Sequence, residues 1–285
     1  MEFTYWYMFP VAIMIATLAN SAGIGGATFF SPLMLIVLGL PPEVAIGTAL
    51  ATEVFGFGSG VVAHARARTV DWLVARRLVA VAVPAGILGS LLSGVIPAAA
   101  LKTILGLGLL AIAVVFIRHD DHEQDDAAIA RGEDVVEPSQ HRVVVARDGE
   151  TFDYRLCRHR EGQVGASVGG LFVGLISTGL GELNSYALVK RCRIPTRVTV
   201  ATSVVVVAAT ALAASVTHLA DLAAGSSEDL ETVRNLVIFT IPGVIIGGQL
   251  GPQVVRRVDG DALIRALGWL FVVVGTITLV EAWVA

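Results

Sequence analysis

The sequence predicts an all-α polytopic membrane protein built from two inverted repeats, with a small cytoplasmic β-hairpin insertion between them. Three observations predict this class. Of the 285 residues, 55% are hydrophobic and only 15% are charged, against about 25% charged residues in soluble domains. The apolar residues form segments about as long as one bilayer crossing. Finally, short motifs from the first half of the chain recur in the same order in the second half.

The charged residues are concentrated in residues 118–162, which hold seven of the 20 Lys and Arg and twelve of the 24 Asp and Glu. The rest of the chain has too few charges to cover a soluble surface, which excludes an ordinary cytosolic enzyme and a disordered protein. A pI of about 5.9 argues against nucleic-acid binding. We therefore divide the chain into a first membrane repeat (1–117), a polar insertion (118–162) and a second membrane repeat (163–285).

Eight apolar segments are predicted to be helices because they are long and nearly free of charge. They are Tyr5–Leu40, Val44–Ala63, Trp72–Val95, Ala98–Ile117, Val164–Val189, Val198–His218, Leu236–Val255 and Ala262–Val284. The first segment is too long for one crossing, since its 36 residues would form a helix of about 54 Å across a core of about 30 Å.

Glycine-rich breaks interrupt the first and fifth segments, at residues 20–28 and 177–185. Each glycine weakens a helix by about 1 kcal/mol, so we predict two half-helices around each break. Two arrangements remain open. Either the broken segment enters and leaves on one side as a re-entrant hairpin, or it is a bent helix that crosses the bilayer.

An internal duplication relates the two halves, and the alternative is chance similarity between apolar segments. Gly23-Ile24-Gly25-Gly26 aligns with Gly179-Leu180-Gly181-Glu182. Three residues of the first half match three of the second at one constant offset: Pro41, Thr48 and His64 against Pro195, Thr202 and His218. A later set also matches: Pro84, Gly89 and Leu92 against Pro242, Gly247 and Leu250.

Basic residues predict the orientation. They cluster at Arg66–Arg77, Lys190–Arg197 and Arg256–Arg257. If both broken segments are re-entrant, all three clusters lie in the cytoplasm and the acidic loop Asp221–Glu231 lies outside. Each repeat then has three crossings, which inverts the second repeat relative to the first.

The insertion is predicted to begin as a disordered acidic segment and to end as a hairpin. Two β-rich runs, Arg142–Val145 and Thr151–Cys157, flank the turn signal Asp148-Gly149. Because the insertion has no counterpart in either repeat, we expect it to be dispensable for closing the transmembrane core. Its histidines show no metal-ligand spacing, and we expect neither a metal nor a cofactor.

The two breaks are the predicted binding site for a small oxyanion. Irregular backbone at membrane depth survives only beside protein or a water-filled cavity, and a half-helix that starts there presents free N–H groups. Alternatively, glycine there only permits close packing, and Ser and Thr bond to their own helices. The candidate residues are Asn20, Ser21, Gly23, Gly25, Gly26, Thr28, Thr48, Thr52, Ser177, Thr178, Gly179, Gly181, Glu182, Asn184, Ser185, Thr202 and Ser203.

Glu182 and Glu53 are the predicted proton-coupling candidates, since a charge at mid-bilayer costs at least about 2.5–3.5 kcal/mol and marks a functional site. The alternative is an acid that only caps a helix start. His64 and His218 end matching helices, where either a transport role or an interfacial position fits. Gly23-Ile24-Gly25-Gly26 and Gly56–Gly60 lack the context of a dinucleotide loop and a nucleophile elbow, so no enzyme activity is expected.

In these motifs the sequence resembles the sulfite exporter TauE/SafE family of membrane anion permeases. The resemblance is carried by Ala22-Gly23-Ile24-Gly25-Gly26, Pro32-Leu33 and Pro41–Thr48 in the first half, and by Gly179–Glu182 and Pro195–Ser203 in the second. It spans the membrane portion and leaves out the insertion. Ala27, Glu182 and Asn184 stand where the family has more glycine, which leaves the substrate open.

The resemblance implies a secondary transporter of sulfite, a sulfonate or a related organic acid in the cytoplasmic membrane. Its expected partners are the small anion, the lipid bilayer and H⁺ or Na⁺ as coupling ion, with no nucleic acid. A passive anion channel and a non-transporting sensor or assembly protein are the alternatives. The sequence leaves open whether the protein is a monomer or a homo-oligomer.

The re-entrant topology makes a testable prediction. A cysteine that replaces Arg193 should react with an impermeant thiol reagent only after the membrane is opened, because the basic cluster lies inside. Both termini should be accessible from outside. Labelling of the cysteine in intact cells would contradict the re-entrant arrangement.

Overall fold

The computed structural model describes residues 5–22, 24–117, 141–155, 159–179, 181, 184, 188, 194–224, 227–254 and 260–284. The predicted helical membrane architecture with a small antiparallel hairpin is confirmed. The helices are α1 (Met8–Ala22), α2 (Ala27–Pro32, continued by a π turn at Leu33–Val37), α3 (Pro42–Ala67), α4 (Trp72–Ser93), α5 (Ala98–Ile117), α6 (His159–Ile176), α7 (Thr196–Ala224), α8 (Ser227–Val254) and α9 (Gly260–Val284). Strands β1 (His141–Val145) and β2 (Thr151–Arg155) lie between α5 and α6.

Within the described residues, four helical stretches are long and apolar enough to cross a membrane: Pro42–Ala67, Trp72–Ser93, Thr196–Asp221 and Asp229–Gly251. The break in the first segment is present, since α1 ends at Ala22 and α2 begins at Ala27. The second break follows α6, where Ser177 (φ 57°) and Gly179 (φ 107°) adopt positive φ. A positive φ cannot continue a right-handed helix, so the chain turns at these two residues.

Several predicted boundaries were wrong. The region Asp221–Glu231 is mostly helical rather than a loop, because α7 continues to Ala224 and α8 starts at Ser227. Hydropathy detects only the part of a helix that lies in lipid, and polar helix ends continue beyond it. For the same reason α6 begins at His159, which lies inside the predicted insertion. The division of the chain into three regions stays a prediction.

The helices of the two halves pack in matched pairs. Helix α1 packs on α8 and α6 packs on α4, while α3 packs on α7 and α5 on α9. The repeated glycines permit the first two contacts: a Cβ at Gly247 would lie 2.6 Å from the Ile13 carbonyl oxygen, and one at Gly89 would lie 2.1 Å from that of Leu171. Any larger residue would separate these helices.

The hairpin between the two halves is confirmed, and its register pairs His141 with Arg155 and Val145 with Thr151. Val144, Phe152 and Tyr154 are buried and belong to the same apolar cluster as Val74 on α4 and Val198 on α7. The hairpin therefore packs on the helical core instead of standing apart from it.

Asp71 is the main anchor of the hairpin. Its carboxylate caps α4 by accepting hydrogen bonds from the N–H groups of Leu73 and Val74 at 2.9 and 3.2 Å. It also accepts a bond of 2.8 Å from Nη2 of Arg142 and one of 2.6 Å from the Tyr154 hydroxyl. Burial of Asp71 acts to raise its pKa, but these hydrogen bonds outweigh burial, so the pKa is lowered overall.

Two further contacts fasten the hairpin to both halves of the chain. The Arg147 N–H donates to the Ala67 carbonyl at the end of α3, at 2.9 Å. Arg197, at the start of α7, pairs with Asp148 at 2.7 Å and with Glu150. The insertion therefore bridges the first and second halves, which argues against the expectation that it is dispensable.

An Asp71→Asn variant should be less stable by about 2 kcal/mol at neutral pH, because hydrogen bonds to a buried charge are lost. The folded-state pKa of Asp71 is lowered, so the stabilisation is complete above the unfolded pKa of about 3.9 and is lost as the pH falls through the folded value. Denaturation in detergent should show this acid-dependent loss in the wild type and less of it in the variant. The control Asp148→Asn, on the same hairpin but exposed, should lose less stability.

Candidate functional site

The first break begins where α1 ends, at two buried polar residues. The Asn20 amide donates to the Ala16 carbonyl at 2.9 Å, and the Ser21 hydroxyl donates to that of Leu18 at 2.8 Å. Both groups therefore bond within α1, as the alternative interpretation expected for Ser21. The Asn20 side-chain oxygen is buried and has no hydrogen-bond partner among the described residues.

A carboxylate from α3 lies at the start of α2. The Ala27 N–H donates to Oε1 of Glu53 at 3.2 Å, and Glu53 is almost fully buried. The same oxygen packs against Gly25, where a Cβ would approach it to 2.9 Å. The helix start that the sequence predicts as the site of a ligand oxyanion is thus occupied by one of the protein's own carboxyl groups. Gly26 immediately precedes α2 and packs near Phe57.

Hydroxyl groups join the two breaks directly. Oγ1 of Thr28 and Oγ1 of Thr178 are 2.7 Å apart, and Ser31 hydrogen-bonds Ser177. All four residues are buried. The Ser177 hydroxyl also lies 2.6 Å from the Ile176 carbonyl at the end of α6. The sequence prediction that polar residues of the two breaks come together therefore holds for Thr28, Ser177 and Thr178.

Two other predicted threonines bond elsewhere. Thr52 shares a hydrogen bond of 2.9 Å with Thr240 on α8. Thr202 accepts a bond of 3.1 Å from the Asp71 N–H, so its hydroxyl serves the turn between α3 and α4. Its repeat counterpart Thr48 is buried, and its hydroxyl has no partner among the described residues.

More buried polar atoms in the described part of the chain lack a partner. They include the Ser203 hydroxyl and both polar atoms of the Asn184 amide. Leaving such an atom unbonded in an apolar medium costs roughly 2–7 kcal/mol. Ser203 and Asn184 therefore stay candidates for contact with a polar ligand, as the sequence predicts.

Of the remaining predicted site residues, some are described by the structure and others are not. Gly181 is buried and helical, and Gly179 turns the chain with its positive φ. Gly23, Glu182 and Ser185 lie outside the described residues. Across the described ranges, no three His, Cys, Asp or Glu side chains group as metal ligands would.

Sequence reasoning missed two hydroxyls, those of Ser31 and Thr240. Ser31 follows Thr28 by three residues, which places both on one helix face, so this spacing could have identified it. Thr240 sits alone in an apolar run of α8, and nothing in its local sequence marks it as the partner of Thr52.

Comparison with known proteins shows the family of the chain. The family model described as sulfite exporter TauE/SafE matches residues 8–278. The chain is 25% identical over 251 residues to the probable membrane transporter protein YjnA of Bacillus subtilis, covering 85% of this chain and 89% of YjnA. It is 22% identical over 275 residues to the probable membrane transporter protein YunE of the same organism, covering 93% of each chain. No solved structure matches.

The contact between Thr28 and Thr178 can be measured with a double-mutant cycle. Thr28→Val, Thr178→Val and the double variant should give a coupling energy of about 0.6 kcal/mol, and at most about 1.7 kcal/mol. Unfolding of the purified protein in detergent would provide these values. The control Thr276→Val should show no coupling with Thr28, because Thr276 is exposed and bonds to its own helix at Val272. Additive effects of Thr28→Val and Thr178→Val would contradict the contact.

Proposed function

Because the chain belongs to the sulfite exporter TauE/SafE family, we propose that it is a secondary transporter of small oxyanions, such as sulfite, a sulfonate or a related organic acid, in the cytoplasmic membrane. The family and the names of the relatives support membrane transport. The observation that carries the substrate class is the meeting of the two breaks through Thr28–Thr178 and Ser31–Ser177. Around such a junction, neutral donors can surround an anion.

The chemistry of the unsatisfied groups supports an oxyanion. The hydroxyls of Thr48 and Ser203 and the amide N–H groups of Asn184 can donate hydrogen bonds, and donors to a charged oxygen form the stronger class of hydrogen bond. The Asn20 oxygen can only accept. It therefore fits a proton-bearing group or a coupling cation better than it fits the anion.

Helix directions support inverted repeats. Helices α3 and α8 run parallel, since Thr52 bonds Thr240 and Ser59 bonds the Ile245 carbonyl. Helices α4 and α7 also run parallel, since Ser90 bonds the Ala214 carbonyl and Asp71 bonds Thr202. A short connection between α3 and α4 reverses the chain, so α3 and its counterpart α7 point in opposite directions. Inverted repeats can exchange conformations, which gives alternating access to a site between them.

Glu53 is the coupling group in this proposal. While ionised, its carboxylate competes with a substrate oxyanion for the Ala27 N–H and repels it. Protonation removes both effects, so proton and anion favour each other's binding. The same linkage makes a gradient of protons drive anion movement. Glu182 remains a sequence-based candidate for the same role.

Flux into proteoliposomes tests the proposed function. The protein should accumulate sulfite or sulfoacetate against its concentration gradient when a pH gradient is imposed, and the accumulation should collapse with the gradient. Downhill equilibration with no response to the pH gradient would identify a passive channel. No flux of sulfite, sulfoacetate, methanesulfonate or acetate would favour a sensor or assembly protein and contradict the proposal.

Glu53→Gln mimics the protonated side chain. It should keep anion binding and lose most of the proton-driven accumulation, which the number of protons moved per anion would measure. Glu281→Gln is the matched control, because Glu281 lies on a membrane helix but pairs with Lys102 at 2.7 Å, between α9 and α5. An unchanged ratio in Glu53→Gln with normal flux would remove Glu53 from the mechanism.

A further inference from the structure

Each repeat places a buried histidine against the end of its broken helix. Nε2 of His218, on α7, lies 2.8 Å from the Gly174 carbonyl oxygen in the last turn of α6. The ring of His64, on α3, lies at the backbone of Asn20 in the last turn of α1. Nε2 of His64 has no hydrogen-bond partner among the described residues, which leaves Nδ1 for a bond to the Asn20 carbonyl. Both residues are about 95% buried, with 4% and 5% of their surface exposed.

The two arrangements are equivalent under the internal repeat. The offset that relates His64 to His218 also relates Asn20 to Gly174 and the helix end Ala22 to Ile176. In each repeat, the last backbone hydrogen bond of the broken helix is accepted by the residue just before the one that the histidine contacts. Ala19 accepts from Ile24 at 3.0 Å, and Val173 accepts from Ser177 at 2.8 Å. Among the described residues, the next carbonyl has no backbone partner, and the histidine lies at it.

The last four carbonyls of any helix lack intrahelical partners, and inside a membrane water cannot replace them. The two histidines remove that deficit at the residues where the chain leaves the helix and enters the break. We propose that His64 and His218 are positioning residues, which fix the ends of α1 and α6 by capping these carbonyls and so set the geometry of both breaks. This inference rests on the proposed function, since the breaks line the proposed anion site.

The proposal assigns the His218 bond to Nε2 and the His64 bond to Nδ1, which permits a sharp test. The side-chain nitrogen of Asn takes the place of His Nδ1, and that of Gln takes the place of His Nε2. His64→Asn and His218→Gln should therefore keep the bond, whereas His64→Gln, His218→Asn and both alanine variants should lose it. Loss of one such bond should raise the KM for sulfite flux about two- to tenfold, the equivalent of one net hydrogen bond.

The matched variants should retain the KM and the pH profile of the wild type. Because neither Asn nor Gln titrates, an unchanged profile means that the histidines act by position and carry no protons. Equal KM values for the matched, mismatched and alanine variants would overturn the proposal. So would a loss of function in the matched variants with an altered pH profile, because the histidines would then act by carrying protons.

Amide hydrogen exchange measures the same bond without transport. Residues 24–28 and 178–181 should exchange faster in the mismatched variants than in the matched ones, even where alanine variants fail to fold. If the wild type moved no anion but this difference persisted, the proposed function would fail while the capping stood. Equal exchange in all folded variants would overturn the capping itself.

Discussion

Backbone that leaves a helix inside a membrane must find its hydrogen-bond partners within the protein, and this constraint organises the molecule. At the first break, α3 supplies Glu53 to the start of α2 and His64 to the end of α1. At the second, α7 supplies His218 to the end of α6. The hydroxyl pairs Thr28–Thr178 and Ser31–Ser177 then join one break to the other. Each break is thus supported by a helix of its own half, and the hydroxyl pairs hold the two breaks together.

The polar groups that stabilise the two breaks are also the groups that would bind an anion in the proposed transporter. A backbone that is already fixed needs little reorganisation when an anion arrives, so binding costs less. In the proposed transporter, Glu53 links the site to protons, because its side chain accepts a bond from the Ala27 N–H group that an oxyanion would need. That N–H group would then be occupied either by the Glu53 carboxylate or by the anion, and this exchange would couple proton and anion movement.

A second polar centre lies at the end of the bundle where α3 ends and where α4 and α7 begin. Asp71 joins α4, the hairpin and α7 through bonds with Arg142, Tyr154 and Thr202. Because Arg197 of α7 also holds the hairpin, this insertion ties the two repeats together. Movement of one repeat against the other would have to break or carry along these contacts.

The sequence predicted the features that depend on local composition. The breaks follow from clustered glycine, and the hairpin follows from Asp148-Gly149 between two β-rich runs. Pairings between distant residues could not be predicted, because hydropathy and periodicity carry no information about which helices meet. Thr240 and the role of Asp71 belong to this class. Thr202 was placed at the site by its repeat position, yet its hydroxyl accepts a bond from the Asp71 N–H in the turn between α3 and α4.

The most direct test of the central claim is the location of a bound anion. Selenite resembles sulfite and scatters X-rays anomalously, so crystals grown with selenite would report its position. We expect an anomalous peak between the two breaks, within hydrogen-bonding distance of Thr28 or Thr178 and close to Ala27. A peak only at basic residues of the protein surface, in crystals of protein that transports sulfite, would contradict this location of the site.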